Sequence, residues 1–301
     1  MISVLLTSYN RERYIAESIE SVLAQTYRDL ELIVTDNCST DRSAEIARDY
    51  AKQDDRVRVI VNPTNVGQFQ NRQLAASLAR GEYLKYHDSD DVMYRHCLAA
   101  MVEALDAEPR AGFALSGSRD WPGGKCPMLL TPRLAYEREF LGTGLFHLGP
   151  ASAMFRADVF RELGGFPMSG IASDYLFWIE ACAKVNVLLV SGDLFYYRVH
   201  AGQEISSPTS ALQYAQSAGA AWTMLNSSRC PLAAEPREQA KRNFVYSQAR
   251  GAFRYFRRRQ FAASAAIVRH SSLSVIDWLC YLRPPRRSAF AGTPPLREAQ
   301  V

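Results

Sequence analysis

Glu82-Tyr83-Leu84-Lys85-Tyr86-His87-Asp88-Ser89-Asp90-Asp91 is the stretch on which the reading of this chain turns. Glu82 to Tyr86 reads as a strand, and it runs straight into a polar segment holding three aspartates. Asp88 and Asp90 stand two apart, so an extended backbone would point both carboxylates to one side. Two hard oxygen ligands on one side suit Mg²⁺ or Mn²⁺, ions that keep waters and share their other positions with substrate phosphates. An isolated pair of this kind is equally a solvated acidic turn, with Asp91 capping the next helix. What surrounds it decides.

Upstream, three strand and helix cycles come before it. Ile2 to Leu6 is an aliphatic run that reads as a buried strand, followed by Ile15, Ile19, Val22 and Leu23 on one helical face. Leu30 to Val34 is the second strand, ending in Thr35-Asp36-Asn37, and Ser39-Thr40-Asp41 supplies capping chemistry for a helix through Ile46, Ala47 and Tyr50. Val57 to Val61 is the third strand and Gln70 to Leu78 the third helix. Four strands separated by helices give an α/β fold with a mainly parallel sheet, whose ligands bind at the carboxyl ends of the strands. That rule gathers Thr7 to Arg11, Asp36 to Asp41 and Asp88 to Asp91 on one rim, which favours the metal reading of the aspartates.

Downstream the pattern is less regular. A helix from Arg95 to Glu108 and a strand from Phe113 to Ser116 lead into a Gly/Pro-rich stretch, Ser118 to Gly149, that takes no assignment. Beyond it a strand Ser152 to Phe155, helices Ala157 to Leu163 and Asp174 to Lys184, and strands Val187 to Val190 and Leu194 to Val199 are expected. Arg198 and His200, two apart at the end of the last strand, would share a face and meet a pyrophosphate or a metal. Asp36 can accept from a uracil imide or a ribose hydroxyl, or else close an Asx-turn. Tyr9 either stacks on a base or packs beneath its loop.

Five segments in order resemble glycosyltransferase family 2: Leu5-Leu6-Thr7-Ser8-Tyr9-Asn10-Arg11, Ile33 to Asp41, Asn65-Val66-Gly67, Gly81-Glu82-Tyr83 leading into His87 to Asp91, and Tyr197-Arg198-Val199-His200. The resemblance covers roughly residues 1–206. It implies a GT-A (Rossmann-like) fold and inverting transfer of a sugar from a nucleotide diphosphate donor, most often a UDP-sugar. By motif, Thr7, Tyr9 and Arg11 border the nucleotide, Asp36 reads the base, Arg72 approaches the nucleotide, and Asp88 lies near ribose and pyrophosphate. Asp90 is the main protein ligand of Mg²⁺ or Mn²⁺ with His200 beside it, Asp91 and Arg198 lie by the pyrophosphate or behind it, and Asp174 is the catalytic base. Gly149-Pro150-Ala151-Ser152 resembles the loop by the donor sugar, and Gly164-Gly165-Phe166 the turn before the acceptor region. Both are equally readable as turns needing positive φ. Asn37 and Cys38 stand where many relatives have Asp and Gly, and Ser173 where they often have a second acid.

The chain has 301 residues with 35 Lys+Arg against 31 Asp+Glu, a net +4 that conceals an asymmetry. Residues 205–301 hold 14 Lys+Arg and 4 Asp+Glu, so the tail is strongly basic while residues 1–204 are net acidic. We therefore expect a catalytic domain over 1–206 (nucleotide-sugar side about 1–117, acceptor side about 118–206) and a basic helical appendage over 207–301, with Ser206-Ser207-Pro208 as linker. The appendage carries Arg250, Arg254, Arg257, Arg258 and Arg259 among Phe253, Tyr255, Phe256 and Phe261, then an apolar stripe through Leu273, Ile276, Leu279 and Cys280. Residues 250–282 read either as a peripheral contact with anionic lipid or as helices packed on the catalytic domain. Nucleic acid is not expected as a partner, because the acidic half offers no basic surface.

Six scattered cysteines without a CxxC pair argue against zinc and for a reducing compartment. No secretory signal and no run of about 18 apolar residues is visible, so a cytoplasmic enzyme, at most peripheral on the inner face of the membrane, is expected. Its partners would be a nucleotide-diphospho-sugar and a glycan or lipid-linked acceptor, in surface polysaccharide or glycoconjugate synthesis. The rival readings are a nucleotidyltransferase, disfavoured because Thr7 to Arg13 holds no glycine, and a catalytically silent sugar-nucleotide-binding module.

Overall fold

The computed structural model describes residues 1–116, 126–167, 173–190, 192, 194–200, 203 and 210–277, with only the backbone for 210–217. The four leading strands are Ile2–Ser8 (β1), Leu30–Asp36 (β2), Val57–Val61 (β3) and Tyr83–Asp88 (β4). β1, β2 and β4 each run two residues past the expected end, so Thr7, Asp36 and Asp88 are the last inches of strand rather than loop. Helices Ile15–Leu23 (α1), Ser43–Ala51 (α2) and Gln68–Ser77 (α3) alternate with them. Then follow Val92–Met93 (β5), Cys97–Ala107 (α4), Ala111–Leu115 (β6), Met128–Leu130 (β7), Pro132–Leu141 (α5), a 3₁₀ turn Pro150–Ser152, Ala153–Arg156 (β8), Ala157–Glu162 (α6), Ser173–Lys184 (α7), Asn186–Leu189 (β9) and Phe195–Tyr196 (β10). Ser210–Asn226 (α8), Ala234–Arg257 (α9) and Phe261–His270 (α10) close the described chain.

One sheet carries the strands in the order β3-β2-β1-β4-β8-β6-β9-β7. β3, β2, β1 and β4 are parallel, and among the described residues antiparallel pairing enters this sheet only at β8 and β7. This is the mainly parallel α/β sheet flanked by helices that the sequence predicts. The strand order reverses at β1, with β2 on one side and β4 on the other, which opens the ligand crevice of such sheets above β1 and β4.

Two compact units divide the chain: Met1–Leu130, Leu148–Phe177 and Val185–Ser207 in the first, and Thr131–His147, Trp178–Lys184 and Pro208–Val301 in the second. In the first, Ile2, Val4 and Leu6 with Leu30, Leu32 and Val34 face the helical layer and meet Ile15, Ile19 and Val22 of α1 and Leu98, Met101 and Leu105 of α4. All of these are at most 5% exposed, and each such side chain contributes about 1.5–3 kcal/mol. The opposite face is filled by rings: Tyr86–Phe166 centroids are 5.3 Å apart, Phe155–Phe160 4.9 Å and Phe166–Phe177 4.7 Å. Phe177 ties the first turn of α7 to this cluster. In the second unit, Trp222 of α8 stacks on Phe244 of α9 at 5.8 Å, and Ala252 and Tyr255 of α9 pack on Ala266 and Ile267 of α10.

Several expectations change. The last strand is only Phe195–Tyr196, paired with β5, so Arg198 and His200 lie beyond it and share no strand face. The unassigned stretch contains β7 and α5. Gly164 and Gly165 do take positive φ, 83° and 70°, but the Gly149 turn does not need it, its φ being −70°. The linker Ser206-Ser207-Pro208, and Leu279 and Cys280 of the apolar stripe, lie outside the described residues. Among the described residues no helix is long and apolar enough to cross a membrane.

Candidate active site

The loops after β1 and β2 are stitched together before any ligand arrives. Asn10 takes the left-handed conformation at φ 52°, which an asparagine tolerates, and its Oδ1 accepts from Thr40 N at 2.8 Å. Asn10 N donates to Ser39 Oγ at 2.9 Å, Arg11 N to Ser43 Oγ at 2.7 Å and Glu12 N to Asp41 Oδ2 at 3.0 Å. Across the strands Thr7 is the register partner of both Thr35 and Asp88, and Ser8 of Asp36. The rim expected from the sequence is therefore continuous. Thr7 is half-buried at its centre.

Asp36 is wholly buried and does close the Asx-turn: Oδ1 accepts from Ser39 N at 2.8 Å and Oδ2 from Ser39 Oγ at 2.5 Å. Each carboxylate oxygen has a second lone pair, so the turn fixes the acid without exhausting it. Tyr9 is 43% exposed.

The aspartate segment corrects the simplest reading. β4 ends at Asp88 and the chain turns at once, with Asp91 N donating to Asp88 O at 3.1 Å. The backbone does not stay extended, so Asp88 and Asp90 do not present one shared pair of ligands. Asp88 Oδ1 accepts from Arg72 at 2.6 Å. Asp90 Oδ2 instead receives Arg11 Nε at 2.9 Å and His200 Nε2 at 3.0 Å. Nor does Asp91 cap a helix. It is 1% exposed and accepts from Arg198 N at 3.0 Å, while Arg198 Nε donates to Asp90 O at 2.8 Å. Arg198 and His200 thus reach the aspartates from irregular backbone after β10, by hydrogen bonds rather than by strand alternation.

Electrostatics separates the carboxylates. Burial would raise Asp88, but the Arg72 guanidinium beside it holds it below the ordinary range. Burial and the nearby Asp88 charge push Asp91 up, so Asp91 takes a proton more readily than Asp88. Asp174 sits in the first turn of α7, one residue inside the helix rather than at an ordinary N-cap, and its Oδ1 accepts from Tyr175 N at 2.7 Å. Burial raises its carboxyl to about 6, with Arg72 pulling the other way. Arg72, 3% exposed, is therefore bonded to Asp88 and within the field of Asp174.

Of the residues that support this arrangement, the sequence marked only Asn37 and Asn65, within the family segments. Tyr14 lies against His200 with centroids 4.7 Å apart, and the Arg198 guanidinium is 5.0 Å from the same ring. Glu17 accepts from Arg198 at 2.5 Å. Asn37 Nδ2 donates to Asn65 Oδ1 at 2.9 Å and Asn62 Nδ2 to Asn71 Oδ1 at 2.9 Å, which ties the loops after β2 and β3 to α3. Lys85, fully buried, donates to the carbonyls of Tyr86 and Ala151, joining β4 to the 3₁₀ turn. Among the others, the charge of Lys85 inside a buried strand is the one local signal.

Among the described residues no group of three His, Cys, Asp or Glu stands together as a metal cage. Asp90 Oδ2 and His200 Nε2 nonetheless form a carboxylate and imidazole pair 3.0 Å apart. As a pair they fit Mn²⁺, and the carboxylate alone fits Mg²⁺, either ion drawing its other ligands from a diphosphate and water.

The family model described as glycosyl transferase family 2 matches residues 3–164. Among sequence relatives, Glycosyltransferase GlyG of Streptococcus pneumoniae serotype 4 is 37% identical over 105 residues, 35% of each chain. This chain spans from about a quarter (24%) to 59% of the length of the first relatives it matches. Among solved structures, S. aureus TarS 1–349 in complex with UDP-GlcNAc aligns at TM-score 0.63 and 21% identity, covering 90% of this chain and 89% of that one. The mannosyltransferase PcManGT from Pyrobaculum calidifontis, in complex with GDP-Man and Mn²⁺, aligns at TM-score 0.61 and 19% identity, covering 93% and 77%. At these identities the two structures speak for the shared GT-A fold.

Proposed function

The chain belongs to glycosyltransferase family 2, and from that premise we propose that it transfers a sugar from a nucleoside diphosphate donor, a UDP-sugar, to an acceptor hydroxyl with inversion at the anomeric carbon. The observation that carries the reading is the meeting of three distant segments on one carboxylate: Arg11 and His200 both bond Asp90 Oδ2. TarS with UDP-GlcNAc and PcManGT with GDP-Man and Mn²⁺, which share the fold, support a nucleotide-sugar donor and a divalent ion.

In this reading Asp36 accepts from the base, Tyr9 offers an exposed ring to stack on it, and Thr7 and Asp88 border the ribose and pyrophosphate. Asp90 and His200 would hold Mg²⁺ or Mn²⁺, which when bound supplies positive charge to the leaving diphosphate. Arg11 and Arg198 add fixed positive charge around Asp90, and Asp91 holds the Arg198 backbone in place. Asp174 takes the proton of the acceptor hydroxyl as that oxygen attacks the anomeric carbon and the bond to the diphosphate breaks. A carboxyl raised to about 6 is a stronger base than an ordinary aspartate yet still ionised at neutral pH. Arg72 bridges the two functions by pairing with Asp88 while steadying the Asp174 anion. The acceptor is a glycan or lipid-linked saccharide on the cytoplasmic side, in surface polysaccharide or glycoconjugate synthesis.

Release of nucleoside diphosphate, measured with Mn²⁺ across UDP- and GDP-sugars, tests this. Turnover of at least one donor, abolished by Asp90→Ala, is expected. If no donor is bound or turned over, the reading is wrong.

A further inference from the structure

Between Glu238 and Asp277 the chain carries eight Lys and Arg residues and no Asp or Glu. The helical spacing puts Arg250, Arg254, Arg257 and Arg258 on one side of α9, where with Phe253 they line an open hollow of about 470 Å³. Among the described residues none of these four, nor Arg259, forms an ion pair. Three phenylalanines stand out of the same region: Phe253 is 62% exposed, Phe256 56% and Phe261 57%. Phe256 and Phe261 touch across the α9–α10 turn with centroids 5.4 Å apart. Val268 on α10 and Val275 and Ile276 after it are exposed apolar residues as well.

The platform beneath is built. Ala252, Tyr255, Ala266 and Ile267 lock α9 to α10, Ser264 Oγ donates to Ala252 O at 2.9 Å, and a Cβ on Gly251 would touch Ile267. Arg254 and Arg257 at the end of α9 complement the helix dipole. That explanation covers neither Arg250, Arg258 and Arg259 nor any of the rings.

We propose that the α9–α10 hairpin is a docking surface for an anionic lipid bilayer. Guanidinium forks match lipid phosphates, and exposed rings enter the headgroup and acyl boundary. Single-stranded nucleic acid also takes arginines and rings, but it has no use for exposed Val268, Val275 and Ile276, whereas a bilayer does. The inference is independent of the transferase reading, because none of these residues belongs to the candidate active site.

Flotation of the full chain with vesicles of phosphatidylcholine alone, and of phosphatidylcholine with phosphatidylglycerol, is the test. Binding to the anionic vesicles only, weakened by salt, is expected. The triple variant Arg254→Glu/Arg257→Glu/Arg258→Glu should lower partitioning by about a hundredfold or more, at roughly fivefold for each charge lost near the surface. Phe253→Ser/Phe256→Ser/Phe261→Ser should weaken binding while keeping its salt dependence. Arg254→Gln/Arg257→Gln/Arg258→Gln serves as the milder variant should the charge reversal unfold, and both arginine variants should keep wild-type donor hydrolysis in solution. No binding to the anionic vesicles, equal flotation of wild type and both arginine variants, or displacement from the vesicles by single-stranded RNA at stoichiometric amounts would each overturn the proposal.

Discussion

Arginine does two different things in this molecule. At the rim of the sheet Arg11, Arg72 and Arg198 each hold a carboxylate, at 2.9, 2.6 and 2.5 Å, and all three side chains are at most 23% exposed. On the α9–α10 hairpin Arg250, Arg254, Arg257 and Arg258 stand in solvent around exposed rings, without an acidic partner among the described residues. The first set is locked in place: its charges are already engaged in fixing Asp88, Asp90 and the segment before His200. The second set is uncommitted, and its charge is available to something outside the chain. Removing one of the rim arginines should therefore damage folding and chemistry together, whereas removing a hairpin arginine should touch neither.

The sharpest break in that contrast would come from Asp90→Ala. We expect kcat to fall by about a thousandfold, as for loss of a principal stabiliser of the leaving group. Asp174→Asn should cost about a hundred- to ten-thousandfold, the worth of a positioned base. The pH profile gives its signature: wild-type kcat/KM should fall as pH drops through about 6, where Asp174 takes up its proton. The stability effect has the opposite sign. A carboxyl raised in the folded state binds its proton more tightly there than when unfolded, so stability declines as pH rises from about 4 to about 6. At pH 7 the uncharged Asp174→Asn should accordingly be more stable than wild type, by up to about 3 kcal/mol. Urea unfolding at pH 7 checks this.

Arg72→Met comes next. It leaves Asp88 without its partner, and urea unfolding should show a loss of about 2–3 kcal/mol, because Asp88 keeps partial access to water. The same measurement on Arg254→Glu/Arg257→Glu should move by no more than about 0.5 kcal/mol for each exposed substitution. A loss at the hairpin as large as that at Arg72 would dissolve the distinction between engaged and uncommitted arginines.

The sequence was informative where chemistry and periodicity coincide. β1, β2 and β4 are apolar runs between helical patterns, and the polar residues ending them had to lie on one rim once the sheet was parallel. The site's inner geometry was less legible. Strand alternation suggested that Asp88 and Asp90 act as a pair and that Arg198 and His200 share a face, yet both segments leave the extended conformation at the point where function needs them. A turn after Asp88 sends the two carboxylates to different partners, and Arg198 is held through its own backbone N–H on Asp91. The Arg198–Asp91 contact joins residues 107 positions apart and leaves no local signature. Cys38 was legible in a different way: relatives often have glycine there, and the residue does adopt φ 64°, a strained value for a side chain. Tyr14 supports the site through a ring face, and its neighbours in sequence do not mark it out.

Calorimetric titration of UDP, with and without Mn²⁺, into the wild type, Asp90→Ala and Arg254→Glu/Arg257→Glu/Arg258→Glu tests the division directly. Mn²⁺-dependent binding to the wild type and to the hairpin variant alike, and none to Asp90→Ala, is expected. Equal binding by Asp90→Ala, or loss of binding in the hairpin variant, would contradict it.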